Sequence, residues 1–180
     1  LDHLVGEAAY EPAAHAITFG NAGLNQGAWF YVDVLGHLAY DRSNVPCITS
    51  TATVDDGVWR HVAVVRSGAT ETIYIDGVAA GSNTVLPACD IQPGGAFVGK
   101  AITGAGFNWE FVGSIDEVRF WNVSRTAAQI STNRFNGLSG SESGLVGYWR
   151  FDESSGQTTL NTATTGPASP REPSASARPA

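Results

Sequence analysis

Methionine is absent from this chain, cysteine occurs only twice, and no apolar run approaches the roughly 20 residues that a membrane-crossing helix requires. No basic start followed by an apolar stretch marks an export signal. Any such signal is expected to have been removed or never to have belonged to these residues. Basic residues number ten against seventeen acidic ones, for a net charge of -7, and they are scattered. That balance argues against a nucleic-acid partner. Motifs of several enzyme classes are missing too: no G-x-S-x-G, no phosphate-binding loop and no HExxH. Helix signals are scarce. Residues 125–135, RTAAQISTNRF, carry the one convincing pattern, with Ser124 or Thr126 as its cap.

What remains is rich in Gly, Val, Ile, Thr and aromatics, a mixture that favours strands and tight turns. Short alternating runs recur with turn signals between them. Residues 28–35 and 37–41 read as a hairpin about Leu35-Gly36. Residues 58–67 and 70–76 read as a second hairpin, preceded by Asp56-Gly57 and closed by Asp76-Gly77. AFVGK follows a Pro-Gly-Gly turn, residues 107–122 read as two further strands, and 145–151 as the last. This spacing predicts an all-β, two-sheet antiparallel sandwich with one short helix. One domain is expected over 1–162, with 1–27 showing no strong period. A Pro/Ser/Ala-rich tail or linker to neighbouring domains is expected over 163–180.

Alternation supplies the candidate sites. If Phe30, Val32 and Val34 face the core, then Trp29, Tyr31, Asp33, His37 and Asp41 line the outer face of the first hairpin. Aromatic rings beside carboxylates suit a saccharide: the ring stacks on its C–H face and the acid accepts its hydroxyl hydrogens. Packing of Trp29 and Tyr31 beneath a loop is the competing reading. Trp109 is a further ligand candidate at a loop, whereas Trp59, Trp149 and Phe151 are expected in the core, and His61 in a structural hydrogen bond. In IDEVRFWN, Asp116 alternates with Val118 and Phe120, which puts a carboxylate in line with core residues. A charge in such a place needs a partner or a hard cation such as calcium. Asp152 and Glu153, in the turn after YWRF, are the added candidate ligands, against the alternative of an exposed acidic turn. Cys47 and Cys89, both in loop-like settings, are expected to form one disulfide in an oxidising compartment, against two buried thiols. Asn122-Val123-Ser124 is a glycosylation sequon.

Several motifs coincide in order: WRHVAVVRSG (59–68), IYIDG (73–77), FVGK (97–100), FVGSIDEVRFWN (111–122), the short helix and GLVGYWRFDESSG (144–156). Together they resemble the laminin G-like, concanavalin A-like lectin/glucanase jelly-roll family. The resemblance implies a concave and a convex sheet, and binding of carbohydrate, glycosaminoglycan or protein, often with calcium. It makes Asp116 a calcium ligand, as the matching Asp is in related β-glucanases. The first strands typical of the family, one with a Phe-Asp-Gly-like element and one with a Trp, are not evident in residues 1–27. The E-x-D-x-E string of the glucanases is absent as well. The expectation is therefore a non-catalytic, calcium-stabilised, glycan- or glycoprotein-binding module of a secreted or cell-surface protein. A structural or adhesive module of a cell surface or virion is the alternative. A glycoside hydrolase or polysaccharide lyase stands third.

Overall fold

The computed structural model describes residues 4–6, 14–21, 26–42, 45–84, 95–100, 110–154 and 158–164. Within them lie strands β1 (Leu4–Gly6), β2 (Ala14–Asn21), β3 (Gln26–Val32), β4 (His37–Arg42), β5 (Val45–Thr53), β6 (Val62–Ser67), β7 (Thr70–Ile75), β8 (Val78–Thr84), β9 (Gly95–Val98), β10 (Gly113–Ile115) and β11 (Val118–Trp121). Helix α1 (Ala127–Asn133) and strand β12 (Leu145–Trp149) follow. Two sheets form the sandwich, one ordered β5-β4-β3-β2-β9 and one ordered β6-β7-β8. Two smaller pairs, β1-β10 and β11-β12, complete the described architecture, and all of these pairings are antiparallel.

Cross-strand pairs build the core. Phe30 and Val32 of β3 stand opposite Tyr40 and Leu38 of β4, and Tyr40 stands opposite Ile48 of β5. These side chains meet Val62 of β6 and Ile73 of β7 in one buried cluster. Rows of apolar neighbours of this kind are what hold a sheet's inner face together. Helix α1 is fastened at its start by a capping box, in which Thr126 Oγ1 accepts from Gln129 N and Gln129 Oε1 accepts from Thr126 N.

The structure corrects several expectations. Ala14–Asn21 is an inner strand although its sequence shows no clean alternation. A bulge between His15 and Ile17 breaks the period, so Ala16 and Ile17 are both buried. The segment around Cys47 is not a loop but the edge strand β5, where Pro46 is tolerated because an edge strand is paired along one side only. Cys89 and Trp109 lie outside the described residues. Val34 is 70% exposed, because β3 ends at Val32 and the chain turns over Asp33–Gly36. Trp59 is 49% exposed, since the strand predicted from residue 58 begins at Val62. Phe151 is exposed too, beyond the end of β12 at Trp149. Strand β8 was not foreseen, its sequence VAAGSNT being poor in strand formers. Its Gly81 approaches β5 so closely that a Cβ there would come within 2.7 Å of the Thr49 carbonyl oxygen.

A buried ion pair spans the two sheets. Arg42 follows Leu38 and Tyr40 on the inner face of β4, and Glu71 precedes Ile73 and Ile75 on the inner face of β7. Arg42 Nε lies 2.8 Å from Glu71 Oε1, with the side chains 2% and 1% exposed. Arg66 of β6 approaches the same carboxylate oxygen at 3.7 Å. Removing one member of such a pair strands the other charge in the core. We expect Glu71→Ala to lower the unfolding free energy by about 3–5 kcal/mol in urea titration, and Arg42→Met with Glu71→Leu together to recover most of that loss.

Candidate functional site

The outer face of the β3–β4 hairpin gathers three of the five residues expected there. Trp29 stands directly opposite Asp41 in the ladder, and the Tyr31 hydroxyl donates to Asp41 Oδ2 at 2.8 Å. Tyr31 and Asp41 are half-buried, while Trp29 is only 8% exposed and its ring reaches over Gly27. Burial pushes the Tyr31 phenol well above its ordinary range, and the bond to Asp41 and the charges of Asp41 and Asp33 push it further in the same direction. Asp33 and His37 form a separate group at the turn. Asp33 Oδ1 accepts from Leu35 N at 2.8 Å and His37 N at 2.9 Å, and lies 3.6 Å from His37 Nδ1. Asp33 thus shapes the turn, as short acidic side chains commonly do.

Asp116, Asp152 and Glu153 are not brought together in a cation shell. The chain breaks strand geometry between β10 and β11, with Glu117 at φ 53°, so the alternation that aligned Asp116 with Val118 does not run through it. Asp116 Oδ1 accepts from Glu117 N at 2.9 Å. Asp152 pairs with Arg150 at 2.9 Å. Glu153 accepts from Thr159 Oγ1 at 2.6 Å and from Leu160 N at 3.2 Å, and the Thr159 bond above all holds its carboxyl below the usual range. Among the described residues no group of three or more His, Cys, Asp or Glu is placed to hold a metal ion. These three residues do not fit a calcium shell of converging oxygens.

The same segment builds a different assembly. Arg119 is buried: its Nη2 reaches Glu117 Oε2 at 2.6 Å and Asn136 O at 2.7 Å, and its Nη1 reaches Asn133 O at 3.1 Å. The Tyr148 hydroxyl donates to the same Glu117 oxygen at 2.6 Å and accepts from Leu138 N at 3.1 Å. One guanidinium therefore ties β11 to the end of α1. Beside it a cavity of about 320 Å³ opens between β6, β11 and α1. Phe30, Tyr40 and His61 contribute to its buried floor, and Arg66 and Asn122 to its exposed rim. Sequence reasoning did not find this cavity. The available signal was the alternation in TETIYI, which sets Glu71 in line with Ile73 and so calls for cations nearby.

A five-stranded and a three-stranded antiparallel sheet closed over one core define a jelly-roll β-sandwich of the lectin-like kind. The chain belongs to the concanavalin A-like lectin/glucanases superfamily, whose Laminin_G_3 family model matches residues 8–131. It is 28% identical over 124 residues to Sushi, von Willebrand factor type A, EGF and pentraxin domain-containing protein 1 of Rattus norvegicus, covering 64% of this chain and 4% of that protein. The Mus musculus protein of the same name is 32% identical over 91 residues, covering 46% of this chain and 3% of that protein. The chain therefore spans a few per cent of the length of these relatives. Among solved structures, a provisionally assigned carbohydrate binding protein from Bacteroides ovatus superposes with a TM-score of 0.69 at 23% identity, over 91% of this chain and 48% of that one. A heptameric SAP-like pentraxin from Limulus polyphemus gives 0.59 at 22% identity, over 76% and 69%. These two likenesses are of fold.

The Tyr31 shift has a testable sign. Its pKa is raised in the folded state, so the stability it contributes is complete below the unfolded value of about 10 and is lost as pH rises through the folded value. In an alkaline absorbance titration, Tyr31→Phe should remove a late-ionising component. A wild-type profile in which every tyrosine ionises near the ordinary value would contradict the burial of this phenol.

Proposed function

We propose that this chain is a non-catalytic carbohydrate-binding module of an extracellular or cell-surface protein, with its saccharide on the outer face of the β3–β4 hairpin. The carrying observation is the Asp41 carboxylate fixed by the Tyr31 hydroxyl at 2.8 Å beside the Trp29 position. A carboxylate already held in one orientation accepts sugar hydroxyl hydrogens with little ordering cost, and the half-buried Tyr31 ring supplies aromatic surface for the C–H face. The superfamily, and a fold shared with a protein assigned to carbohydrate binding, support the same reading. The domain names carried by the curated relatives, sushi, EGF and pentraxin among them, support a place outside the cell. Retaining or inverting hydrolysis needs two carboxyls facing each other across the glycosidic bond. Asp41 is bonded to Tyr31 and Asp33 to the turn's N–H groups, which favours binding over turnover.

One observation favours a protein partner as the second reading. Val34 and Leu35 are exposed at the hairpin tip, and the β5–β6 loop that carries exposed Val58 and Trp59 is joined to that tip by the bond from Val54 N to Gly36 O. Apolar residues grouped at one end of a domain mark a contact surface. A glycan array followed by calorimetry separates the two. Saccharide binding that falls at least about tenfold in Asp41→Asn and in Tyr31→Phe, with each variant still unfolding cooperatively, is expected for the hairpin site. No glycan retained on the array, together with self-association on sizing that Val34→Ser and Leu35→Ser abolish, would establish the second reading instead.

A further inference from the structure

We propose that the cavity between β6, β11 and α1 is a separate site for an anionic sugar unit, a single ring bearing a carboxylate. The proposal does not depend on the hairpin face. It begins from a charge imbalance. The chain carries seventeen acidic residues against ten basic ones, yet the cavity is lined by Arg66, Arg119 and Arg125 and, among the described residues, by no Asp or Glu. The carboxylates that partner this lining are Glu71 and Glu117. Glu71 is held by Arg42 at 2.8 Å before Arg66 reaches it at 3.7 Å, and Glu117 is held by Arg119 at 2.6 Å. Glu71 is thus shared by Arg42 and Arg66, and Glu117 by Arg119 and, at 3.9 Å, by Arg150. Arg125 forms no ion pair with any described residue, and instead lies over the Trp121 ring at 4.1 Å. Arg66 and Arg125 thus present positive charge that their neighbours do not fully offset.

The remaining walls fit a sugar ring. Phe120 and Trp121 supply aromatic surface, and Asn122 supplies an amide at the exposed rim. The volume, about 320 Å³, is at the small end for ligand cavities and admits one ring in preference to a long oligosaccharide. A guanidinium fork matches a carboxylate by two parallel hydrogen bonds, and stacking on Trp121 restrains the Arg125 fork in advance.

The test is calorimetry or chemical-shift mapping on the whole chain with glucuronate, with glucose as the ring lacking the carboxylate, and with inorganic sulfate as competitor. Glucuronate should bind, glucose should not, and the affinity should fall with added salt. Arg125→Gln and Arg66→Gln should each weaken glucuronate at least about tenfold, as loss of one charge-assisted pair does. Melting should hold in Arg66→Gln because Arg42 retains Glu71, and Arg125→Gln has no ion pair to break, so it carries the test alone if the other variant unfolds. Glucose binding as well as glucuronate, neither of them binding, or glucuronate affinity unchanged in Arg125→Gln would overturn the proposal. Sulfate competing as strongly as glucuronate would overturn the sugar assignment and leave a simple anion site. Asp41→Asn should leave glucuronate binding intact, so failure here and failure at the hairpin face are read separately.

Discussion

The ion pair between Arg42 and Glu71 is the constraint on which both candidate sites depend. Two charges on inner faces are costly to bury, and the cost is offset only when the strands slide into the one register that brings them to 2.8 Å. Because side chains alternate along a strand, a slip of one residue would turn Arg42 outward. With Arg42 fixed inward, its neighbour Asp41 must face outward, where it meets Tyr31 and stands opposite Trp29. On the opposing sheet the same carboxylate draws Arg66 toward it while leaving that guanidinium only partly offset at the cavity rim. A single buried contact thus sets the polarity of two surfaces, the hairpin face beside Arg42 and the cavity rim at Arg66.

A second polar assembly joins β11, β12 and the end of α1. Glu117, Arg119 and Tyr148 bond to one another and to backbone at the end of α1, so the short helix is held by strand side chains more than by its own length. Burial, with the Glu117 bond acting in the same direction, raises the Tyr148 phenol and keeps it a donor. The cavity lies between this assembly and the inter-sheet pair, with the core residues Phe30 and Tyr40 on its floor.

Much of this was legible in the sequence wherever the strand period is unbroken. The β3–β4 and β6–β7 hairpins, the capped helix and β12 all follow from alternation and turn residues. What escaped has local causes. The bulge at His15–Ile17 hides β2, proline at an edge disguises β5, and small residues that permit close approach disguise β8. The left-handed Glu117 misleads in another way: it carries a regular-looking period across a break, and so aligned Asp116 with a core to which it does not belong. The carboxylate that does stand in line with the core, Glu71, was equally visible in its strand, but its partner Arg42 is far earlier in the chain and on the other sheet, where periodicity is silent. The outer-face grouping of Trp29, Tyr31 and Asp41 was readable because β3 and β4 pair in simple register.

The break at Glu117 also bears on where this domain can be cut. One short segment serves two partners: its first half pairs with β1 at residues 4–6, its second half with β12 at residues 145–149. Beyond β12 the chain remains stitched down, with Thr162 N on Tyr148 O and Thr164 N on Gly140 O. The family match spans 8–131 and contains neither β1 nor β12. A fragment trimmed to those limits would keep the matched middle and lose both flanking partners of residues 113–121, leaving their backbone donors and acceptors without a ladder. The cooperative unit is therefore wider than the recognisable one, and its first and last strands are fastened to each other through a segment that belongs to neither.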